Sequence, residues 1–153
     1  MRRRDKEIKD VEMIKSILRE AHVCRLALSD NNFPYIVPMN FGFKGNILYL
    51  HSAKEGSKIE ILRKNNNVCF EVDIKQELIK SKTLCDWSMK YYSVIGKGKA
   101  YLISDFKEKK QALDIIVKKY SSEDSINYSC SAIKKLTVIK VEISKMTGRK
   151  SGY

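Results

Sequence analysis

From Phe33 to Phe43 every odd position is apolar or aromatic (Phe33, Tyr35, Val37, Met39, Phe41, Phe43), the period of two that a strand with one buried face requires. Pro34 and Pro38 interrupt the run. Proline donates no ladder hydrogen bond, so Pro38 marks an edge, a bulge, or a place where something other than a strand lies alongside. A short apolar strand over 23–28 precedes it, joined by the turn Ser29-Asp30-Asn31-Asn32, whose side chains bond their own backbone. Lys44-Gly45-Asn46 closes a second hairpin onto 47–51, which makes three antiparallel strands in succession. Residues 68–74 form a strand with Val68, Phe70 and Val72 on one face and Cys69, Glu71 and Asp73 on the other. Residues 91–104 form a long strand in which Gly96 and Gly98 signal a bulge or a close approach. In the last strand, 137–143, Ile139, Val141 and Ile143 share a face, Val138 breaks the alternation, and 144–153 reads as a short basic tail.

Spacings of three and four mark the helices. Ile8, Val11, Ile14, Ile17, Leu18 and Ala21 stripe the first, over 6–22, with Asp5 as its cap. A short helix follows residue 52, with capping boxes available at Ser52 with Glu55 and at Ser57 with Glu60, and Ile59, Ile61 and Leu62 as its apolar face. A third begins at Asp105 with Glu108 and buries Leu113, Ile116, Val117 and Tyr120. Residues 75–89 form a connection whose tip holds the one tryptophan, Trp87, an indole expected to be buried in this subunit or against a partner. Residues 121–131 read as a loop. About six hairpin-linked strands with three appended helices predict a mainly β fold, a small closed or partly split barrel.

Composition narrows the class. At 153 residues and 43% apolar content the chain fits one domain over 1–153 with a real core. No apolar run approaches the roughly 20 residues of a membrane helix, and the basic start lacks a hydrophobic segment behind it, so a cytoplasmic location is expected. The four cysteines form no metal-binding spacing; Cys24, Cys69 and Cys85, with apolar or aromatic neighbours, read as buried small hydrophobes. Asn127 opens a glycosylation triplet that has no meaning in such a compartment. The net charge of +12 favours anionic partners: nucleic acid, a membrane surface or a phosphate-bearing ligand. Basic clusters at 2–4, 107–110 and 134–135 read as solvated faces.

One stretch joins charge to chemistry. His51-Ser52-Ala53-Lys54-Glu55-Gly56-Ser57-Lys58 carries a hydroxyl, small residues and an ammonium group just where a helix begins. Free N–H groups at a helix start carry partial positive charge, so Ser52, Ala53 and Lys58 form a plausible anion seat. His51 stands beside that seat as a cofactor contact or a proton donor, since an imidazole titrates near neutral pH. His22, at the end of the first helix, is expected on the free carbonyls there. Arg149 and Lys150 reach an anion only as part of the tail.

The runs Cys24-Arg25-Leu26-Ala27, Pro34-Tyr35-Ile36-Val37-Pro38-Met39-Asn40-Phe41, Leu48-Tyr49-Leu50-His51-Ser52-Ala53, Glu55-Gly56 with Lys58, and Trp87 through Gly98, taken in this order, resemble the flavin-binding split-barrel family related to pyridoxamine phosphate oxidase, and within it the nitroimidazole-resistance branch. The likeness spans about residues 5–149. It implies a six-stranded antiparallel split β-barrel that forms a homodimer, with FMN in two clefts at the subunit interface. It also implies that Val37, Pro38, Met39 and Asn40 run along the flavin ring. Ser52, Ala53 and Lys58 would hold the phosphate, His51 would protonate a reduced small-molecule substrate, and Trp87, Tyr92, Ser93 and Val94 would close the site from the partner. The implied reaction is reduction of a drug nitro group by the flavin; no metal is implied. Two other readings stay open: a basic nucleic-acid-binding barrel, which the alternating, buried-looking aromatics disfavour, and a haem-binding split barrel with His51 as iron ligand.

Overall fold

The computed structural model describes residues 4–121 and 128–153. The 122–127 part of the expected loop, Asn127 and two of the three basic residues at 2–4 lie outside the described residues. A 3-10 turn at Arg4–Lys6 leads into β1 (Glu7–Ile8), and α1 (Val11–Glu20) follows. Then come β2 (Cys24–Asp30), β3 (Phe33–Met39), β4 (Phe41–Lys44) and β5 (Ile47–Ala53), followed by α2 (Ser57–Lys64). Next are the long strands β6 (Asn67–Ile79) and β7 (Ser88–Ile103), and the chain ends through α3 (Phe106–Val117), α4 (Cys130–Lys135) and β8 (Leu136–Ser151).

The expectation of a mainly β, antiparallel split barrel is met, with eight strands among the described residues instead of six. All belong to one sheet in the order β3-β2-β6-β7-β8-β5-β4, with β1 pairing on β8. The sheet does not close by hydrogen bonds. Its two end strands, β3 and β4, are nevertheless consecutive in the chain, separated by Asn40 alone, so the sheet must curl until those edges meet at that residue. This is why the apparent single strand over 33–43 is two. The period of two runs unbroken through Asn40, but Met39 pairs with Cys24 of β2 whereas Phe41 pairs with Leu50 of β5. Both prolines fall on the end strand β3, where one side has no ladder to lose. Phe33, read as inward, is 76% exposed because it sits at the tip of the β2–β3 turn.

The turns obey their residues. Asn31 and Asn32 both take left-handed φ values (49° and 69°), the requirement of a two-residue hairpin turn that asparagine tolerates. Gly45 does the same at 64° between β4 and β5. Between Ile74 and Glu77 the register of β6 slips against β7, with Lys75 at φ 54°, and the strand then continues to Ile79. The expected 75–89 connection is therefore mostly strand, with the real crossing at 80–87. The expected tail is strand too: β8 runs to Ser151 because residues 145–151 pair with β7 and Gly148 and Arg149 also pair with β1.

Two apolar clusters divide the burial. The barrel interior is filled from β2, β4, β5, β6, β7 and β8 by residues such as Leu26, Phe41, Leu50, Phe70, Val94 and Ile139, and is covered by Ile14, Ile17 and Leu18 of α1. Asp10, not Asp5, caps α1 by accepting from Glu12 N–H (2.9 Å), since residues 7–8 are drawn into the sheet. The second cluster lies outside the sheet, where Ala112, Leu113 and Ile116 of α3 and Ile133 of α4 cover Ile103 and Val138. That outer cover explains Val138: this end of β8 is buried on both faces. Cys24 is fully buried and its thiol is pushed up to about 12 by that burial, but Cys85 is exposed in the crossing, contrary to expectation. Among the described residues no helix is long and apolar enough to cross a membrane.

Candidate functional site

The expected site residues fall into two groups. The first gathers where the sheet edges meet. Continuing the β4–β5 ladder beyond Phe41 and Leu50 puts Asn40 beside His51, so Val37 to Asn40 and His51 to Ala53 come together although ten residues lie between Asn40 and His51 in the chain. Val37 and Met39 face inward from β3, Pro38 and Asn40 are exposed, and the side of β3 away from β2 has no strand partner. Strand β5 extends two residues further than the sequence suggested, pairing Ser52 with Thr137 and Ala53 with Leu136. By period two, His51 therefore faces the outer side with Val138 and Tyr49, while Ser52 follows Leu48 and Leu50 inward. The His51 and Ser52 side chains thus leave the same corner on opposite faces of one strand end.

Neither capping box forms at α2. The cap is Gly56, at φ 113° and without any side-chain hydrogen bond, and Ser57 is the first helical residue. Residues beyond glycine rarely take that φ, and the space where its side chain would stand is open. The helix start thus presents uncapped backbone N–H groups to an open cradle. Lys58 occupies the second helical position, where the positive end of the helix dipole disfavours a cation. Burial alone depresses its pKa, with no charged neighbour contributing. A partly dehydrated ammonium without a counter-charge among the described residues, beside an uncapped helix start, is an arrangement that an anion relieves.

The second group stands far off. Val94 is fully buried in the barrel between Val72 and Gly148, Tyr92 stacks on Tyr153 (4.5 Å between centroids), and Ser93 faces outward. Trp87 is 39% exposed, its indole N–H donating to the Ser81 carbonyl (2.9 Å) and Lys80 lying near its ring. Ser52 lies near the Ile103 end of β7, which is ten residues from Ser93, about 30 Å of strand path. One chain does not bring these residues to the corner.

Two features escaped sequence reasoning. On the outer face Arg25 forms ion pairs with Glu71 (3.0 Å) and Asp73, and burial together with the Asp73 charge pushes Glu71 up against the pull of Arg25. The alternation of 69, 71 and 73 was visible, but the partner depends on the β2–β6 register. A groove of about 1040 Å³ runs between α3 and the β4–β5 hairpin and reaches Arg19 and Lys119. Lys119 donates to the Leu18 carbonyl (2.7 Å) at the end of α1, the role expected of His22, and lies 3.2 Å from the centre of the Phe41 ring. Burial lowers Lys119 from 10.5 to about 8. The native state therefore releases this proton before the unfolded chain does, and stability gains as pH rises from about 8 to about 10.5. Urea midpoints measured at both ends of that window should rise less with pH in Lys119→Met than in the parent; equal slopes would refute the assignment.

Comparison with known proteins places this geometry. The family model described as pyridoxamine 5′-phosphate oxidase matches residues 10–150. A protein of Bacteroides thetaiotaomicron assigned to 5-nitroimidazole antibiotic resistance is 41% identical, with 94% of this chain and 86% of that one covered and a TM-score of 0.84. The flavocytochrome Anf3 of Azotobacter vinelandii matches at 20% identity over 100% of this chain and 72% of its own, with a TM-score of 0.87, which bears on the fold alone. A Listeria innocua protein described as a pyridoxamine 5′-phosphate oxidase matches at 26% identity, 93% and 98% coverage and a TM-score of 0.60. No curated protein matches the chain.

Proposed function

This chain belongs to the pyridoxamine 5′-phosphate oxidase family, and from that premise we propose that it is an FMN-dependent oxidoreductase that reduces nitro groups of the nitroimidazole type. The observation that carries the reading is Lys58: unpaired, partly dehydrated, and set at the uncapped start of α2 next to the open Gly56 cradle. These residues fit a phosphate, which Lys58 and the first N–H groups of α2 would hold with Ser52 at the strand end. The free side of β3 from Val37 to Asn40 then orients the ring through backbone groups, Pro38 having no N–H to offer. Bound there, the flavin supplies hydride or electron transfer. His51, exposed beside Asn40, holds a proton on its imidazole for the reduced substrate. The nitro substrate is supported by the 41% identical relative, whose assignment is 5-nitroimidazole resistance.

The reading includes a homodimer with one cofactor in each of two interface clefts. It is supported by the distance between the two groups of residues and by the exposure of Trp87 in the single chain. A twofold axis brings Trp87, Tyr92 and Ser93 of one subunit to the corner of the other, and Val94 shapes that strand from within the core.

Fluorescence titration with FMN and with riboflavin, which lacks the phosphate, tests the seat. FMN should bind about 10- to 100-fold more tightly than riboflavin, and Lys58→Glu should erase that preference without moving the thermal midpoint. Equal affinity for the two flavins in the parent protein would refute the phosphate seat; no affinity for either would refute the cofactor.

A further inference from the structure

On the outward face of the sheet, away from the corner, Ser93 of β7 stands between two larger charged residues, Asp73 across on β6 and Arg149 across on β8. Two residues to either side along β7, Tyr91 and Ile95 rise from the same face. A serine among longer side chains leaves a notch, and a cavity of about 460 Å³ lies there, with Met89 on its rim.

The charges in the notch are unevenly matched. At one end the Arg25 guanidinium is held by Glu71 and Asp73. At the other, the Arg149 Nε is buried and has no hydrogen-bond partner among the described residues. Glu7, opposite Arg149 on β1, makes no ion pair with it. A guanidinium N–H that has given up water without gaining an acceptor is unfavourable, and such groups are rare in folded proteins. Pairing with β1 and β7 fixes the Arg149 backbone, and the packing of Ile8 and Ile14 against Gly148 leaves that strand little freedom to relieve the fault by moving.

We propose that this notch is an oxyanion-binding site. Arg149 takes a carboxylate or phosphate group through Nε and Nη side by side, the fork that two such oxygens match. Ser93 adds a hydroxyl donor, and Ile95 and Met89 cover the organic part of the ligand. Asp73 at the far end disfavours a second negative charge and accepts from a donor group there, so the ligand carries its anion at one end only. Within one chain the notch lies far along the sheet from the seat at Lys58. In the dimer of the proposed function Ser93 meets the partner's corner, and the flavin-tail outcome below rests on that reading.

Two sources can present that chemistry: a free small molecule, or the phosphate tail of a flavin held by a partner subunit. The test is NMR of the flavin-free protein titrated with inorganic phosphate and with benzoate, following the Arg149 Nε–H signal and the Ser93 amide. Both probes should shift these signals, benzoate at lower concentration, and Arg149→Met should abolish the Ser93 shift. If the benzoate shifts persist in protein loaded with FMN, the occupant is a separate small molecule. If FMN itself moves the two signals, blocks benzoate and binds more weakly to Arg149→Met, the occupant is the flavin tail. The absence of any shift at these positions with probe on the order of 10 mM, a weak-binding limit, overturns the site. So does an unchanged Ser93 shift in Arg149→Met; should that variant fail to fold, the titration of the parent protein decides alone.

Discussion

Gly98→Ala should lower the thermal midpoint by about 6–12 °C, the shift that roughly 3 kcal/mol of overpacking produces in a domain of this size. A β-carbon at residue 98 would overlap the carbonyl oxygen of Glu142, in the neighbouring strand β8, where the register slips between Lys97 and Gly98. The obstacle is backbone, so no rotamer change relieves it and the strands must part. Gly45→Ala is the control: its φ of 64° carries a conformational penalty of about 1–2 kcal/mol, but nothing lies within 4 Å of the new carbon. Calorimetry on both variants separates collision from backbone strain. A Gly98→Ala midpoint at or above that of Gly45→Ala would mean that β7 and β8 do not approach as described.

Mixing two defective forms should restore flavin sites that neither form has alone. In the proposed dimer, each site takes Lys58 from one subunit and Trp87 from the other. Lys58→Glu and Trp87→Ala homodimers are then each damaged at both sites. Unfolded and refolded together in equal amounts, about half the dimers are mixed, and each mixed dimer has one site with both defects and one with neither. About a quarter of all sites should therefore recover flavin, read as bound flavin absorbance per chain after gel filtration. Both substitutions are at residues with solvent exposure, away from the filled barrel, so the fold should survive them. Flavin content equal to the mean of the two unmixed samples would place both residues in one subunit's site. A strictly monomeric particle would remove the interface altogether.

These outcomes also bear on how much of the site could be read from residues in order. The proposed anion seat could be picked out from residues in order because its parts are close in the chain: His51 to Lys58 spans a strand end, a turn and a helix start. The capping of α2 was misread all the same. Ser52 and Ser57 both had the right neighbours for a capping box, but pairing with β8 held Ser52 in the strand and left Gly56 at the cap. Trp87 was expected to be covered, and within one chain it is not, which shifts the question to the partner.

By itself the sequence determined most of the order of strands and helices, most of their apolar faces, and a mainly β, closed or partly split barrel, because side-chain period and turn chemistry are properties of neighbouring residues. The antiparallel split-barrel family entered through the resemblance of its motifs. Only the tertiary structure decided that the run through Asn40 is two strands at opposite ends of one sheet, that the supposed tail is the last half of β8, and that Arg149 faces Ser93 across a notch. Those facts depend on register between strands distant in the chain. A slip of one residue would turn every side chain to the other face, so they are settled by how the whole sheet packs.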